Sequence, residues 1–170
     1  MPVNASNNDL GWIAPDFSLK DVSNDIVTLD NLKGDNGTVI AFICNHCPYV
    51  IAIVERLSFE AKELKKLSIN TITIMSNDVT QYPEDSFENM KIFSKKYDFT
   101  FSYLYDESQT VAKSYGAVCT PDIFGFDRHL KLMYRGRIDS GVMNTNKTQI
   151  NRELYSAMLK IKNDGVGPKE

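Results

Sequence analysis

Residues 38–50, TVIAFICNHCPYV, pass from an unbroken apolar run into a turn with two cysteines and then into a helical pattern. The run at residues 38–44 is β-branched and too short for a helix, which is typical of a strand buried on both faces of a central parallel sheet. From Pro48 onward, apolar residues recur at positions 50, 54, 57, 61 and 64, and polar residues including Glu60 occupy the opposite, solvent-facing side. The stretch therefore predicts a strand, a turn and a helix, with Cys44 and Cys47 at the junction.

The flanking sequence extends this unit into a mixed α/β fold. Phe17 and Leu19 alternate before a polar turn at residues 21–25, and a second short strand follows at 26–28, which together predict an N-terminal β-hairpin. Further strands are expected at 71–76, 103–105, 123–126 and 130–134, with a closing helix at 148–163. Parallel strands linked by helices, followed by an antiparallel hairpin, predict a central mixed sheet flanked by helices.

Two further helix starts follow from their acidic residues. Glu84 and Asp85 follow a proline and are expected in the first turn of a helix, where the positive end of the helix dipole favours acids. Asp106 and Gln109 have the spacing of a capping pair, and they predict a helix that ends at Gly116.

Length and composition indicate one globular domain. The chain has 170 residues, of which 42% are hydrophobic and 24% charged, with a formal net charge of −3. We expect a single domain over residues 1–170, with its core at about 14–163 and loose segments at 1–13 and 164–170. The chain has only 3 cysteines, which are too few for a disulfide scaffold, and its longest basic runs are lysine pairs. Nucleic acid and membrane surfaces are therefore not expected as partners.

The cysteines also bear on the compartment. The first ten residues contain neither a basic run nor an apolar core, so they do not resemble a secretory signal. We therefore expect a cytoplasmic protein, in which ordinary thiols stay reduced. In that compartment, a close cysteine pair is more often catalytic or metal-binding than structural.

The Cys44-Asn45-His46-Cys47 turn is the candidate redox site. A helix N-terminus stabilises a thiolate, and a C-x-x-C setting can lower a cysteine pKa from about 8.5 to ~3.5–7.5. We expect Cys44 to attack from an exposed junction, Cys47 to resolve the mixed disulfide, and Asn45 and His46 to tune the thiols. Two alternatives stay open. In the first, the two cysteines are ordinary core residues. In the second, Cys44, His46, Cys47 and Cys119 bind zinc.

The motifs resemble those of the thioredoxin fold, and of its alkyl hydroperoxide reductase/thiol-specific antioxidant branch. The resemblance rests on residues 14–17 (APDF), 42–50 (FICNHCPYV), 76–78 with 82–86 (SND, YPEDS), 103–107 (YLYDE) and 119–122 (CTPD). It implies that Pro121 is a cis-proline packed on the cysteine pair, and that the backbone of Thr120 pairs with an extended substrate. It also places Cys119 near the site, as a third redox thiol or as a small buried apolar residue.

The match to peroxiredoxins is incomplete around the cysteines. Peroxiredoxins have the pattern P-x-x-x-[ST]-x-x-C, which ends at the peroxidatic cysteine. If Cys47 is that cysteine, Ile40 stands at the Pro position and Cys44 at the Thr/Ser position. If Cys44 is that cysteine, Gly37 and Ala41 stand at these positions. Neither register fits. The sequence therefore predicts first a thiol-disulfide oxidoreductase without a cofactor, which acts on a protein or small-molecule disulfide and is recycled by a separate thiol reductant. The alternatives are a thiol peroxidase and a metal- or copper-binding module.

Three other side chains have structural interpretations. His129 is expected in a solvated turn, Arg135 and Arg137 on a solvated strand face, and Trp12 in packing.

Overall fold

The computed structural model describes residues 10–143 and 150–168, which form one seven-stranded mixed sheet with helices on it. The strands are β1 (Ser18–Asp21), β2 (Ile26–Thr28), β3 (Gly37–Phe42), β4 (Ile69–Met75), β5 (Ser102–Tyr105), β6 (Asp122–Phe126) and β7 (Leu132–Gly136). The α-helices are α1 (Leu29–Leu32), α2 (Pro48–Lys65), α3 (Phe87–Lys96), α4 (Thr110–Tyr115) and α5 (Glu153–Asp164).

The strand order is β2-β1-β5-β4-β3-β6-β7. Strands β3, β4 and β5 run parallel, whereas β6 and β7 form an antiparallel pair beside β3, as the sequence predicts. The predicted N-terminal hairpin is also present, and β1 pairs antiparallel with β5. The carboxyl ends of β3 and β4 therefore lie side by side at one edge of the sheet.

Strand β3 is buried on both faces, as its apolar run predicts. Val39 and Ala41 belong to a core cluster with α2, α3 and α5, whereas Ile40 and Phe42 belong to a second cluster on the other face with α4. All four side chains are at most 2% exposed. The strand is thus a central, immobile support for the turn that follows it.

The segment at residues 10–13 is packed, unlike the loose chain expected there, whereas residues 1–9 of that expectation lie outside the described residues. Gly11 N–H donates to the Leu132 carbonyl at 2.8 Å, and Leu132 N–H donates to the Trp12 carbonyl at 2.9 Å. The Trp12 ring lies 5.7–6.0 Å from the rings of Tyr115, Phe124 and Phe126, so its expected packing role is confirmed.

Two predicted helix starts are wrong. Glu84 and Asp85 belong to a one-turn 3₁₀ helix, Pro83–Asp85, and α3 begins only at Phe87 with Ser86 as its N-cap. Helix α5 begins at Glu153, because the Asn151 backbone pairs with Ser140 and holds residues 150–152 out of the helix. Residues 148 and 149 of the predicted helix lie outside the described residues.

The predicted capping pair at the start of α4 is half right. The Asp106 carboxylate accepts hydrogen bonds from the Val111 and Ala112 N–H groups, and Gly116 ends the helix in the left-handed conformation. Gln109 makes no cap bond, since its side chain donates to the Ser76 carbonyl.

Several predicted solvent-facing charges are paired. Glu60 is 5% exposed and accepts two hydrogen bonds from Arg152 at 2.7 and 3.0 Å, which corrects its placement on the solvent side of α2. Arg135 pairs with the buried Asp122, and Arg137 with Glu153, so they do not form a simple solvated face. His129 is exposed in its turn, as expected.

Within residues 10–143 and 150–168, none of the helices has the length and apolar character needed to cross a membrane.

Candidate active site

The two cysteines of the C-x-x-C turn lie where the strand-turn-helix pattern places them. Cys44 follows β3, and Cys47 is the N-cap of α2, which starts at Pro48. No side chain caps the first turn of this 18-residue helix. Its free N–H groups and the positive end of its dipole therefore point towards the turn.

The exposure of the thiols is the reverse of the prediction. Cys44 is only 1% exposed, whereas Cys47 is partly exposed and Cys119 is exposed. Cys44 ends a strand that is covered on both faces, and this cover extends over its side chain. The exposed junction expected for Cys44 is therefore wrong.

Thr120 contacts both sulfurs. The Thr120-Pro121 peptide bond is cis, as the resemblance implies. Cys44 Sγ lies 3.6 Å from Thr120 Oγ1, and the Cys47 thiol donates to the Thr120 carbonyl at 3.4 Å. The hydrogen bond from Cys47 to the Thr120 carbonyl requires a protonated thiol, because a thiolate cannot donate. The same carbonyl belongs to the backbone that is expected to pair with a substrate.

The pKa of Cys44 is raised, not lowered as predicted. Burial is the largest cause, and the negative charge of Asp85 adds to the increase. The Thr120 hydroxyl and the backbone N–H of Cys47 act in the opposite direction, since both stabilise the thiolate. The two thiolate-stabilising groups are thus present, but burial outweighs them.

Asp85 is a fully buried carboxylate directly beside the turn. It is 0% exposed, and it accepts hydrogen bonds from Asn45 N–H at 2.8 Å and from Asn77 Nδ2 at 2.9 Å. His46 Nδ1 lies 2.7 Å from Asp85 Oδ2. Asp85 therefore connects the turn to the segment that follows β4.

Asn45 and His46 both contact Asp85, and their role in tuning the thiols stays a prediction. The Asn45 side chain donates to the Glu84 carbonyl and accepts from the hydroxyl of the buried Tyr103. The His46 ring stacks on Tyr82 at 5.0 Å between centroids. Both side chains therefore hold the turn in position.

Sequence reasoning missed Asp85, Asn77 and Tyr103 as site residues. One signal could have found Asp85 and Asn77: β3 and β4 are neighbouring parallel strands, so the residues after β4 must lie beside the residues after β3. Tyr103 gives no comparable signal, because its side chain looks like an ordinary core aromatic.

Cys119 lies on the exposed side of the site, so the expectation that it is a buried apolar residue is wrong. Partial burial and the nearby Asp122 raise its thiol pKa. A cavity of about 350 Å³ opens beside Cys119 and Thr120, and its lining includes Asn77, Gln109 and Lys113. This cavity gives a small molecule room beside Thr120, the residue that contacts both sulfurs of the pair.

The zinc alternative is matched only in part by the residues that lie together at the turn. Among the described residues, the ligand atoms of Cys44, His46 and Asp85 lie within 4.8 Å of one another. Cys47 and Cys119 do not belong to this group, since their sulfurs face Thr120 and Pro121.

The parallel β3-β4-β5 unit, the antiparallel β6-β7 pair and a C-x-x-C turn before α2 define a thioredoxin-like protein. The thioredoxin domain of a thiol-disulfide oxidoreductase from Bacteroides vulgatus shares this fold with a TM-score of 0.66 and 17% identity, over 80% of this chain and 94% of that one. Residues 10–135 match the AhpC/TSA family, and the chain belongs to that family.

Two other proteins have higher sequence identity to this chain. An uncharacterized conserved protein from Geobacillus kaustophilus has a TM-score of 0.91 and 40% identity, covering 100% of this chain and 91% of its own. The chloroplastic peroxiredoxin Q of Oryza sativa subsp. japonica is 31% identical over 117 residues, which are 68% of this chain and 48% of the relative. The chain thus spans about half the length of the curated relatives it matches.

Proposed function

We propose that the protein is a thiol-disulfide oxidoreductase that uses Cys44 and Cys47 as its redox pair. The observation that carries this proposal is the convergence of both sulfurs on Thr120, at 3.6 Å from its hydroxyl and 3.4 Å from its carbonyl. Family membership and the fold shared with a thiol-disulfide oxidoreductase domain add support.

The proposed reaction has two thiol-disulfide exchanges. The Cys44 thiolate attacks a substrate disulfide, one substrate sulfur joins Cys44, and the other leaves as a thiolate. Cys47 then loses its proton and attacks the Cys44 sulfur, which releases the second substrate thiol and leaves a Cys44–Cys47 disulfide. The substrate gains two electrons, and a separate thiol reductant returns them to the pair. The proposed compartment is the cytoplasm, where glutathione and thioredoxin keep thiols reduced.

The contacts favour Cys44 as the attacking thiol. The Thr120 hydroxyl and the Cys47 N–H both stabilise its thiolate, whereas the Cys47 thiol donates its own proton to a carbonyl. Because Cys44 is 1% exposed, a substrate must displace part of the cover over its sulfur. We therefore expect attack to be slow at neutral pH and to need a substrate that fits beside Thr120.

The first experiment measures the redox pair directly. The full chain is equilibrated in glutathione buffers of graded ratio, and its alkylated thiols are counted by mass. We expect a reversible two-electron step between about −120 and −300 mV. The step should persist in Cys119→Ser and disappear in Cys44→Ser and Cys47→Ser. A wild-type protein with no such step would refute the proposal.

The same variants test the two roles. With a small disulfide as substrate, Cys47→Ser should accumulate a mixed disulfide at Cys44, because no resolving thiol remains. Cys44→Ser should accumulate less of the mixed disulfide, because it lacks the attacking thiol. The opposite pattern would assign the attack to Cys47.

Thiol peroxidase activity is the second candidate, favoured by the similarity of this chain to the peroxiredoxin Q of rice. The peroxiredoxin pattern around the cysteines is incomplete in either register, so we expect slow peroxide consumption. Stopped-flow measurement distinguishes the two functions. Fast turnover that is lost in Cys47→Ser would favour the peroxidase.

A further inference from the structure

The structure brings three different metal-binding groups together at the turn. The ligand atoms of Cys44, His46 and Asp85 all lie within 4.8 Å of one another. At ordinary zinc bond lengths, two ligands of one ion lie roughly 3.3–3.7 Å apart. Side-chain movements of about an ångström would therefore close the set around an ion.

The surroundings hold two of these ligands in place. Asp85 is fixed by hydrogen bonds from Asn45 N–H and Asn77 Nδ2, and the His46 ring is fixed by stacking on Tyr82. His46 Nδ1 is buried and has no hydrogen bond of good geometry, although Asp85 Oδ2 lies only 2.7 Å away. Partners of this kind orient ligands in protein metal sites.

We propose that the reduced protein binds one zinc ion through Cys44 Sγ, His46 Nδ1 and a carboxylate oxygen of Asp85, with a water molecule or another small ligand in the fourth position. One sulfur, one nitrogen and one oxygen suit zinc better than copper(I), which prefers sulfur, or magnesium, which prefers oxygen. On binding, the Cys44 thiol releases its proton to solvent as the S–Zn bond forms, and no electron moves.

The site has a consequence for the redox pair, and this part alone rests on the proposed function. A zinc-bound Cys44 sulfur is a weaker nucleophile than the free thiolate, because it shares an electron pair with the ion, and a sulfur held in the Cys44–Cys47 disulfide is lost as a thiolate ligand. Zinc and oxidation therefore compete for Cys44, so zinc slows oxidation of the pair, and oxidation releases the ion.

Zinc binding is tested without reference to activity. Metal-free, reduced full-length protein is titrated with zinc against a chromophoric zinc indicator. We expect one ion per chain, and affinity at least about tenfold weaker in His46→Ala and Asp85→Asn. Cys44→Ser should lose binding, whereas Cys119→Ser should stay within a few-fold of wild type. Circular dichroism checks that each variant is folded, and His46→Ala keeps the test valid if Asp85→Asn does not fold.

Cobalt(II) gives a second readout, because each cobalt–thiolate bond adds charge-transfer absorption in the near ultraviolet. We expect the intensity of one thiolate in wild type and in Cys47→Ser. The assigned ligands would be overturned if Cys44→Ser and Cys47→Ser lost zinc equally while His46→Ala and Asp85→Asn kept the wild-type zinc affinity. That result would indicate chelation by the two thiols alone. Absence of binding to the reduced wild type would overturn the site itself. Cys47→Ser also separates the two proposals, since it removes the redox pair and keeps all three zinc ligands.

Discussion

A single buried carboxylate, Asp85, organises the chemistry of the turn. It fixes the Asn45 backbone, lies against His46 and adds a negative charge beside Cys44. Burying a carboxylate is unfavourable unless it is hydrogen-bonded, and here its partners come from the turn itself and from Asn77. Asp85 therefore holds the geometry of the C-x-x-C turn and also contributes to the raised pKa of Cys44, although burial is the larger cause.

The raised pKa of Cys44 predicts unusual pH dependence. In a Cys47→Ser/Cys119→Ser variant, where Cys44 is the only thiol, alkylation by iodoacetamide should have its midpoint above that of an ordinary thiol, because burial first and Asp85 next disfavour the thiolate. Stopped alkylation reactions at graded pH, analysed by mass, measure this midpoint. The same variant unfolded in urea is the control, and its midpoint should return to about 8.5.

Adding Asp85→Asn to that variant should lower the midpoint, because one of the charges that opposes the thiolate is removed. Asp78→Asn is the matched control, since Asp78 lies on the same loop and is not among the causes of the Cys44 shift. Because its pKa is raised, Cys44 keeps its proton in the folded state at pH values where the unfolded chain has lost it. This thiol therefore contributes less to stability as pH rises above about 8.5. Coinciding midpoints in folded and unfolded protein would contradict the assigned environment.

At the level of elements, α2 and α5 are joined by an ion pair. Glu60 on α2 is 5% exposed and accepts two hydrogen bonds from Arg152, the N-cap residue of α5. The Arg152 guanidinium also lies 4.1 Å from the Tyr155 ring centre. This contact anchors the start of α5 against the helix that carries the redox turn.

Glu60→Ala should lower the free energy of unfolding by about 1–2 kcal/mol, because it leaves Arg152 without its carboxylate. The effect is smaller than for a fully buried pair, since the Arg152 side chain is 40% exposed. Glu63→Ala is the matched control: Glu63 is on the same helix, pairs with the exposed Lys66, and should change stability by less than about 0.5 kcal/mol. Urea unfolding measures both. Equal effects would show that the Glu60 pair has no special weight.

Local patterns predict the elements well where their causes are local. The apolar run of β3 and the proline that opens α2 are correctly interpreted from sequence, because strand burial and helix initiation depend on neighbouring residues. Glu60 is misplaced because its partner, Arg152, lies 92 residues away in the chain. The exposure of Cys44 is mispredicted for the same reason, since the groups around its sulfur come from distant segments at Thr120 and Asp85.

At the level of the whole molecule, the sheet separates two apolar clusters of different construction. The cluster with α2, α3 and α5 is covered by long helices, whereas the opposite cluster is covered by the short helices α1 and α4 and by the chain at residues 10–17. Trp12 and the rings of Tyr115, Phe124 and Phe126 fill this second face. The N-terminal segment thus substitutes for a helix.

This arrangement predicts that Trp12→Ala destabilises the whole fold by about 2–4 kcal/mol, because the substitution removes the packing of the indole on the rings of Tyr115, Phe124 and Phe126. Thermal unfolding followed by circular dichroism measures the loss. Ile13→Ala is the matched control, since Ile13 is 55% exposed and should change stability by no more than about 0.5 kcal/mol. Phe42 and Phe124 belong to the same cluster, and Phe42 lies two residues before Cys44. We therefore expect Trp12→Ala also to speed the alkylation of Cys44. An unchanged melting temperature in Trp12→Ala would mean that residues 10–13 are not part of the folded core.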